Sequence, residues 1–381
     1  MGDIAPAPAS GPTTAPAVSA PVEAVEAAAY RVPLPVPDGG TVLGWDALTV
    51  VVVRLRTAGV TGLGYTYADA SCVPVLQGPL AGALRGADPC DVPAARDRMR
   101  AALAGRARPG TAARVLAAVE TALWDASARL LDLPLYRLFG AARDRVPVYG
   151  SGGFTPFDDH RLLGELDDWL ARGITMVKIP IGEGFGRGVD RDLRRVACAR
   201  RAVGTAAEVF VDAHGGYAAD LAVRVGERLA EWGVSWYEEP VACDDLDGLR
   251  SVRERVAADV TAGEYGQDAR YFDRMLAAGA VDCLQLDVTR CGFGEWRRAA
   301  ALAQERGTDV SGHGAPNLAA HVAAATPGLR HLEWFRDHEY AETLLFDGAL
   351  TVRDGAVRPD PSAPGHGLAL READAEPFRV A

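Results

Sequence analysis

From residue 146 onward the sequence repeats one pattern, a short run of apolar and β-branched residues followed by a segment long enough for a helix. The runs lie at 146–149, 176–179, 209–211, 235–237, 260–262, 283–286, 309–311 and 331–334, and segments such as 190–203, 221–232 and 295–306 fill the gaps. Eight strands joined by helical crossovers at this pitch specify a parallel α/β barrel. A doubly wound open sheet is the rival arrangement, but no Gly-x-Gly-x-x-Gly loop follows a strand, so dinucleotide binding has no support.

The first part of the chain has a different texture. Residues 1–27 are rich in Ala and Pro with few large apolar side chains, too little to repay the entropy of ordering, and read as a disordered tail. Residues 28–145 read as an α+β unit: the branched run 48–55 is a strand, Gly59 to Tyr65 is a glycine-punctuated turn into a second strand, and Thr111 to Leu131 carries a helical apolar face through Leu116, Val119, Leu123, Ala126 and Leu130. Pro33 to Gly40 reads as a mobile loop by composition. The barrel is expected over 146–345, with 346–381 packing back on the N-terminal unit.

A parallel barrel gathers its functional groups at the C-terminal ends of its strands. The polar residues found there are Lys178, Asp212, Glu238, Glu264, Asp287, His313 and Glu333, separated by 34, 26, 26, 23, 26 and 20 residues, the spacing of single strand–helix units. A lone carboxylate is usually a helix cap or a surface charge, but this set forms one ring in register. Asp212, Glu238 and Glu264 would converge as hard oxygen ligands, and three carboxylates that leave positions open for substrate oxygens and water suit Mg²⁺. Asp287 and His313 end adjacent strands, where a carboxylate can orient an imidazole and raise its basicity, which makes a general base. Lys178 is the only lysine in 381 residues, against 39 arginines. An amine kept in an apolar run, where arginine is used everywhere else, points to a role arginine cannot fill.

Composition narrows the partners. A net charge of −11 argues against nucleic acid, because phosphate contacts need a basic patch. No segment approaches eighteen uninterrupted apolar residues, so no membrane span is expected, and the N-terminus lacks a basic stretch followed by an apolar one. The six cysteines form no Cys-x-x-Cys pair and read as idle thiols of a cytoplasmic protein.

The ordered motifs Val211-Asp212-Ala213, Tyr237-Glu238-Glu239-Pro240, Ala262-Gly263-Glu264, Leu286-Asp287 through Gly292, Ser311-Gly312-His313 and Leu332-Glu333 resemble those of the enolase superfamily, mandelate racemase subgroup. Ala122-Leu123-Trp124-Asp125, with Pro134-Leu135-Tyr136 and Gly140, is similar to the signature that ends that family's capping domain. The resemblance implies a modified (β/α)7β TIM-like barrel under an N-terminal α+β capping domain. It also implies Mg²⁺ held by Asp212, Glu238 and Glu264, removal of a proton alpha to a carboxylate, and a homo-oligomer. The subgroup often carries Lys-x-Lys on the second strand, the second lysine being a base, whereas this chain has Lys178-Ile179-Pro180. Residues at i and i+2 share a strand face, so Pro180 stands where that base would be.

Asp212-Ala213-His214 suggests a different outcome, because it resembles sugar-acid dehydratases in which this histidine protonates the departing hydroxyl. The leading expectation is therefore dehydration of a sugar acid to a 2-keto-3-deoxy acid. In it His313 is the base, His214 the acid, and Lys178 and Glu333 support the enediolate. Two alternatives stay open: a racemase or epimerase using Lys178 as second base, and a metal-binding homologue without catalysis. Substrate choice is expected from capping segments Pro33 to Trp45 and Gly62 to Ala70, with Trp45, Tyr65, Tyr67 and Asp69. His321 and His331 read as structural, His338 and His366 as loop residues.

Overall fold

A computed structural model describes residues 20–39, 44–105 and 109–381. The capping unit is an antiparallel sheet of β1 (Val22–Gly39), β2 (Gly44–Thr57) and β3 (Val60–Tyr67), in that spatial order. β1 corrects two expectations. It begins at Val22, so residues 22–27 belong to a strand and not to a tail, while residues 1–19 lie outside the described part. An alanine-rich segment has little strand preference of its own, but here it pairs with the valines of β2, Ala27 with Val53 and Ala29 with Val51, and takes its conformation from that partner. Residues 33–39 are also strand rather than loop, pairing Pro33 with Ala47 and Asp38 with Trp45. Their prolines are tolerated because β1 is an edge strand, where a missing N–H breaks no ladder. Gly40, the last residue of that expected loop, is outside the described residues.

The long helix Pro109–Leu130 lies across this sheet. Gly62 and Gly64 make the approach possible: a Cβ on either would stand 2.1 Å from a helix carbonyl, that of Ala122 or of Ala118. These glycines, which in the sequence suggest a turn, therefore sit inside β3 for packing, and the turn itself is Ala58-Gly59, both left-handed.

The barrel follows as β4 (Val146–Ser151), β5 (Met176–Pro180), β6 (Glu208–Asp212), β7 (Val234–Glu238), β8 (Asp259–Ala262), β9 (Cys283–Leu286), β10 (Asp309–Gly312) and β11 (Leu329–Phe335). The strands are parallel, each pairs with the next, and β11 closes on β4 through Leu332–Val148 and Glu333–Tyr149. Each gap holds a helix, and Arg336–Leu345 follows the last strand. Branched side chains of alternate strand positions, such as Val177, Ile179, Val209 and Val211, are buried in the layer shared with these helices. Inside, the floor beneath the mouth is aromatic: Phe210 stacks on Trp236 at 5.3 Å, and both pack on Tyr149 and His331.

The chain end touches both units. A short strand Ala356–Val357 pairs with β4, while along the edge of β1 Ala29 N donates to Ala381 O and Val380 N donates to Ala29 O, and His366 reaches Leu63 of β3. All six cysteines are free, and among the described residues no helix is long and apolar enough to cross a membrane.

Candidate active site

Each strand end delivers its residue to one buried cluster. Lys178 points inward from β5 and is 4% exposed. Its Nζ contacts Glu238, lies 2.9 Å from Glu333 Oε1 and 3.4 Å from Asp212 Oδ2, and sits 5.4 Å above the Tyr149 ring. Burial alone would depress its pKa, but the Glu238 and Glu333 carboxylates outweigh burial and hold it well above the ordinary lysine value. The ammonium is therefore fixed as a cation.

On the other side, His313 Nδ1 stands 3.2 Å from Asp287 Oδ2, while Nε2 faces Glu264 at 3.0 Å and Glu333 at 3.5 Å. Asp287 is pinned twice: its Oδ1 accepts from Thr289 N and from Thr289 Oγ1, both at 2.7 Å, so it caps the helix Val288–Glu305 while its Oδ2 orients the histidine. Burial would lower the His313 pKa, yet Glu264 and Glu333 raise it well above the usual imidazole range. His214, two residues beyond Asp212 and left-handed at φ 47°, turns Nε2 to within 3.2 Å of Asp212 Oδ2. Its side chain keeps 34% exposure, and partial desolvation against the neighbouring walls lowers its pKa.

The carboxylates Asp212, Glu238 and Glu264 lie at the ends of neighbouring strands and are almost fully buried. In this conformation they are turned onto cationic partners, and among the described residues no group of three His, Cys, Asp or Glu converges as a ready-made cage. The donor set nevertheless fits a divalent cation. Burial raises Asp212, and raises Glu238 to about 8, and neighbouring carboxylates add to the rise against the pull of Lys178, so the pocket carries an excess of negative groups. Such an excess is costly unless a further positive charge joins it. Oxygen-only donors suit a hard ion.

Several participants escape sequence reasoning. Arg290, one turn after Asp287, sits 2.8 Å from Glu264 Oε1 and 3.2 Å from Asp287 Oδ2, tying together the two carboxylates that flank His313. The Asp-x-x-Arg spacing was the available signal, yet in an arginine-rich helix it looks like any surface pair. Trp236, one inward position below Glu238, donates to its Oε2 at 2.9 Å. Glu239 is left-handed and buried. Glu342, on the helix after β11, is fully buried and accepts from Tyr65 Oη at 2.6 Å, Tyr67 Oη at 2.8 Å and Asn317 N at 3.3 Å, as well as from Asn317 Nδ2.

The capping residues divide. Tyr65 and Tyr67 are strand residues of β3, and Tyr65 is buried against Glu342 rather than lining the mouth. Asp69 caps the short turn Ala70–Cys72. Trp45 does reach the site: its Nε1 donates to Asp337 Oδ2 at 3.2 Å, and with Lys178, Pro180, Asp212 and His214 it encloses a cavity of about 20 Å³. His338 lies in the helix Arg336–Leu345, not in a loop, and His366, though in a loop, is buried. His321 Nε2 donates to His366 O, and His331 pairs with Ser311 inside the barrel.

Comparison with known proteins supports this architecture along most of the chain. Residues 26–140 match the mandelate racemase / muconate lactonizing enzyme N-terminal domain, and residues 161–374 match the enolase C-terminal domain-like family. The chain is similar, at 30% identity over 92% of its length and 97% of the relative's, to a 3,6-anhydro-alpha-L-galactonate cycloisomerase of Streptomyces coelicolor. It is similar at 30% identity, covering 88% and 71%, to a D-gluconate dehydratase of Thermoproteus tenax. Among solved structures, a mandelate racemase/muconate lactonizing enzyme-like protein from Rubrobacter xylanophilus superposes with a TM-score of 0.91 at 40% identity, covering 94% of this chain and all (100%) of the other. A racemase from Streptomyces coelicolor with bound magnesium gives 0.88 at 29%, covering 94% and 100%. With both domains matched in order and the ring of strand-end residues in place, the chain belongs to the enolase superfamily, in its mandelate racemase subgroup.

Proposed function

We propose that this protein is a magnesium-dependent hydro-lyase that removes the proton alpha to a carboxylate of a sugar acid and eliminates the β-hydroxyl as water. The observation that carries this reading is the pair of imidazoles on opposite sides of the carboxylate cluster, His313 backed by Asp287 and His214 beside Asp212, with Pro180 offering no base between them. Relatives named as dehydratases and related structures solved with magnesium support it.

Asp212, Glu238 and Glu264 are the residues that would hold Mg²⁺, whose Lewis acidity would polarise the substrate carboxylate and stabilise the enediolate charge. The residues of the chain do the rest. His313 takes the alpha proton at Nε2, with Asp287 fixing the ring through Nδ1. In the present conformation its proton is retained chiefly by Glu264, one of the carboxylates assigned to the cation, so cation binding and a free imidazole go together. Lys178, locked in its charged form, offers a compact positive charge to the developing enediolate, and Glu333 bridges Lys178 and His313. His214 brings the proton to the leaving hydroxyl. Desolvation lowers its pKa, so the ring, once protonated, gives its proton up readily.

Incubation with Mg²⁺ and a panel of sugar acids, read by a keto-acid reagent, tests the reading. A 2-keto-3-deoxy acid is the expected product, and silence across the panel refutes it. His214→Asn is expected to stop elimination while sparing alpha-proton exchange in D₂O. Undiminished dehydration by that variant removes the role of His214.

A further inference from the structure

The base sits at the head of a turn that backbone sterics disfavour. Gly314 has φ 52° and Ala315, which carries a Cβ, has φ 41°. Left-handed non-glycine residues are costly and persist only where their surroundings hold them. Two contacts do so here: Gly314 N donates to Glu333 Oε2 at 3.1 Å, and Ala315 N donates to His338 Nδ1 at 2.9 Å. His338 is in the first turn of the helix after β11, and its ring lies flat against Tyr67, with centroids 3.8 Å apart and 12° between planes. Phe335 closes its edge at 4.9 Å. Tyr67 ends β3 of the capping sheet and is itself held, its hydroxyl by Glu342 and its carbonyl by Arg114. A Cβ at position 314 would stand 2.8 Å from the His338 ring, so the turn and the ring are fitted to each other.

We propose that His338 is a positioning residue for the base: clamped on Tyr67 of the capping sheet, it accepts the Ala315 amide and thereby sets where His313 stands. The inference rests on the reading of His313 as the base. Burial lowers the His338 pKa to about 3, so its ring stays neutral, with Nδ1 as acceptor and the proton on Nε2. The capping sheet thus reaches the base through three links, Tyr67, His338 and Ala315, without touching substrate.

His338→Phe keeps a ring against Tyr67 and removes only the acceptor, whereas His338→Asn returns an acceptor without the ring. Alpha-proton exchange in D₂O is followed by NMR with Mg²⁺ and with D-gluconate, galactarate and L-talarate as probes. The phenylalanine variant is expected to lose roughly 10- to 100-fold in kcat for exchange, with little change in KM, as misplacement of a base does. The primary deuterium isotope effect should rise, and asparagine should recover part of the loss. Tyr67→Leu, which strips the platform but keeps the acceptor, should lose kcat in the same sense, and it serves if the phenylalanine chain does not fold. A phenylalanine variant with wild-type kcat, an effect on KM alone, or asparagine no better than phenylalanine overturns the inference while His313 remains the base. Absence of exchange in the wild-type enzyme overturns both.

Discussion

Glu342 makes a quantitative test of how the capping sheet is fastened to the barrel. Its carboxyl is buried among Tyr65, Tyr67 and Asn317, and burial pushes its pKa up to about 7 against the hydrogen bonds these residues donate. The unfolded chain releases this proton near the ordinary value of 4.5, whereas the folded chain keeps it until about 7. Between those limits the folded state binds more protons, so stability falls as pH rises: the contribution is whole below pH 4.5 and gone above about 7. At ~1.4 kcal/mol per pH unit, the gap amounts to ~3 kcal/mol, with little solvent screening because the group is fully buried. Glu342→Gln is neutral throughout and lacks this slope. Its amide oxygen can still accept from Asn317, and the tyrosine hydroxyls can rotate to accept from its NH₂, so the fold is expected to persist. Urea unfolding of both proteins, followed by circular dichroism and tryptophan fluorescence from about pH 4.5 to 8, isolates the group, because the other carboxylates titrate in both and cancel in the difference. The wild type should lose ~3 kcal/mol relative to the variant across this window. Parallel curves would refute the reasoning and mean that the hydrogen bonds outweigh burial, leaving an ordinary carboxylate.

Two further outcomes follow from the carboxylate ring. Lys178→Arg keeps the charge but brings a planar guanidinium into a space shaped by Glu238, Glu333, Asp212 and the Tyr149 ring, so turnover should fall ~100-fold or more while circular dichroism stays native. Retained activity would reduce Lys178 to a charge. Removal of divalent ions with EDTA should abolish turnover, and Mg²⁺ at about a hundred times its Kd should restore it and stabilise the fold by ~2.7 kcal/mol, read as a rise in Tm. Indifference to EDTA would remove the metal from the mechanism.

Much of this was legible from residues alone, and the reasons are physical. Barrel strands announce themselves because both faces are buried, so runs such as Val209-Phe210-Val211 are continuously apolar, and the ionisable residue that interrupts each run marks its end. Lys178, Asp212, Glu238, Glu264, Asp287, His313 and Glu333 were found that way, and the structure gathers them into one cluster. Other features needed three dimensions. The proline-bearing half of β1 looks like a loop because its strand character comes from β2 and from lying at an edge. Gly62 and Gly64 resemble turn punctuation because nothing local reveals the helix carbonyls against them. His338 and Glu342 come after the last barrel strand, and their importance lies in partners 271 and 275 positions away, Tyr67 in both cases.

The small cavity beneath Trp45 has a consequence for the order of events. A space of about 20 Å³ accommodates roughly one water molecule, far less than a sugar acid. Trp45, held by its hydrogen bond to Asp337, walls this space, so a ligand larger than a water molecule enters only when Trp45 moves. A single neutral-to-charged hydrogen bond is worth ~1.5–3 kcal/mol, weak enough for the Trp45 side chain to leave unaided and strong enough to favour its return. Selection is then exercised twice: by what can enter while Trp45 is displaced, and by what lets Trp45 regain Asp337 afterwards. An acid that passes the first sieve but keeps Trp45 away from Asp337 would bind without reacting, as an inhibitor shaped like a substrate.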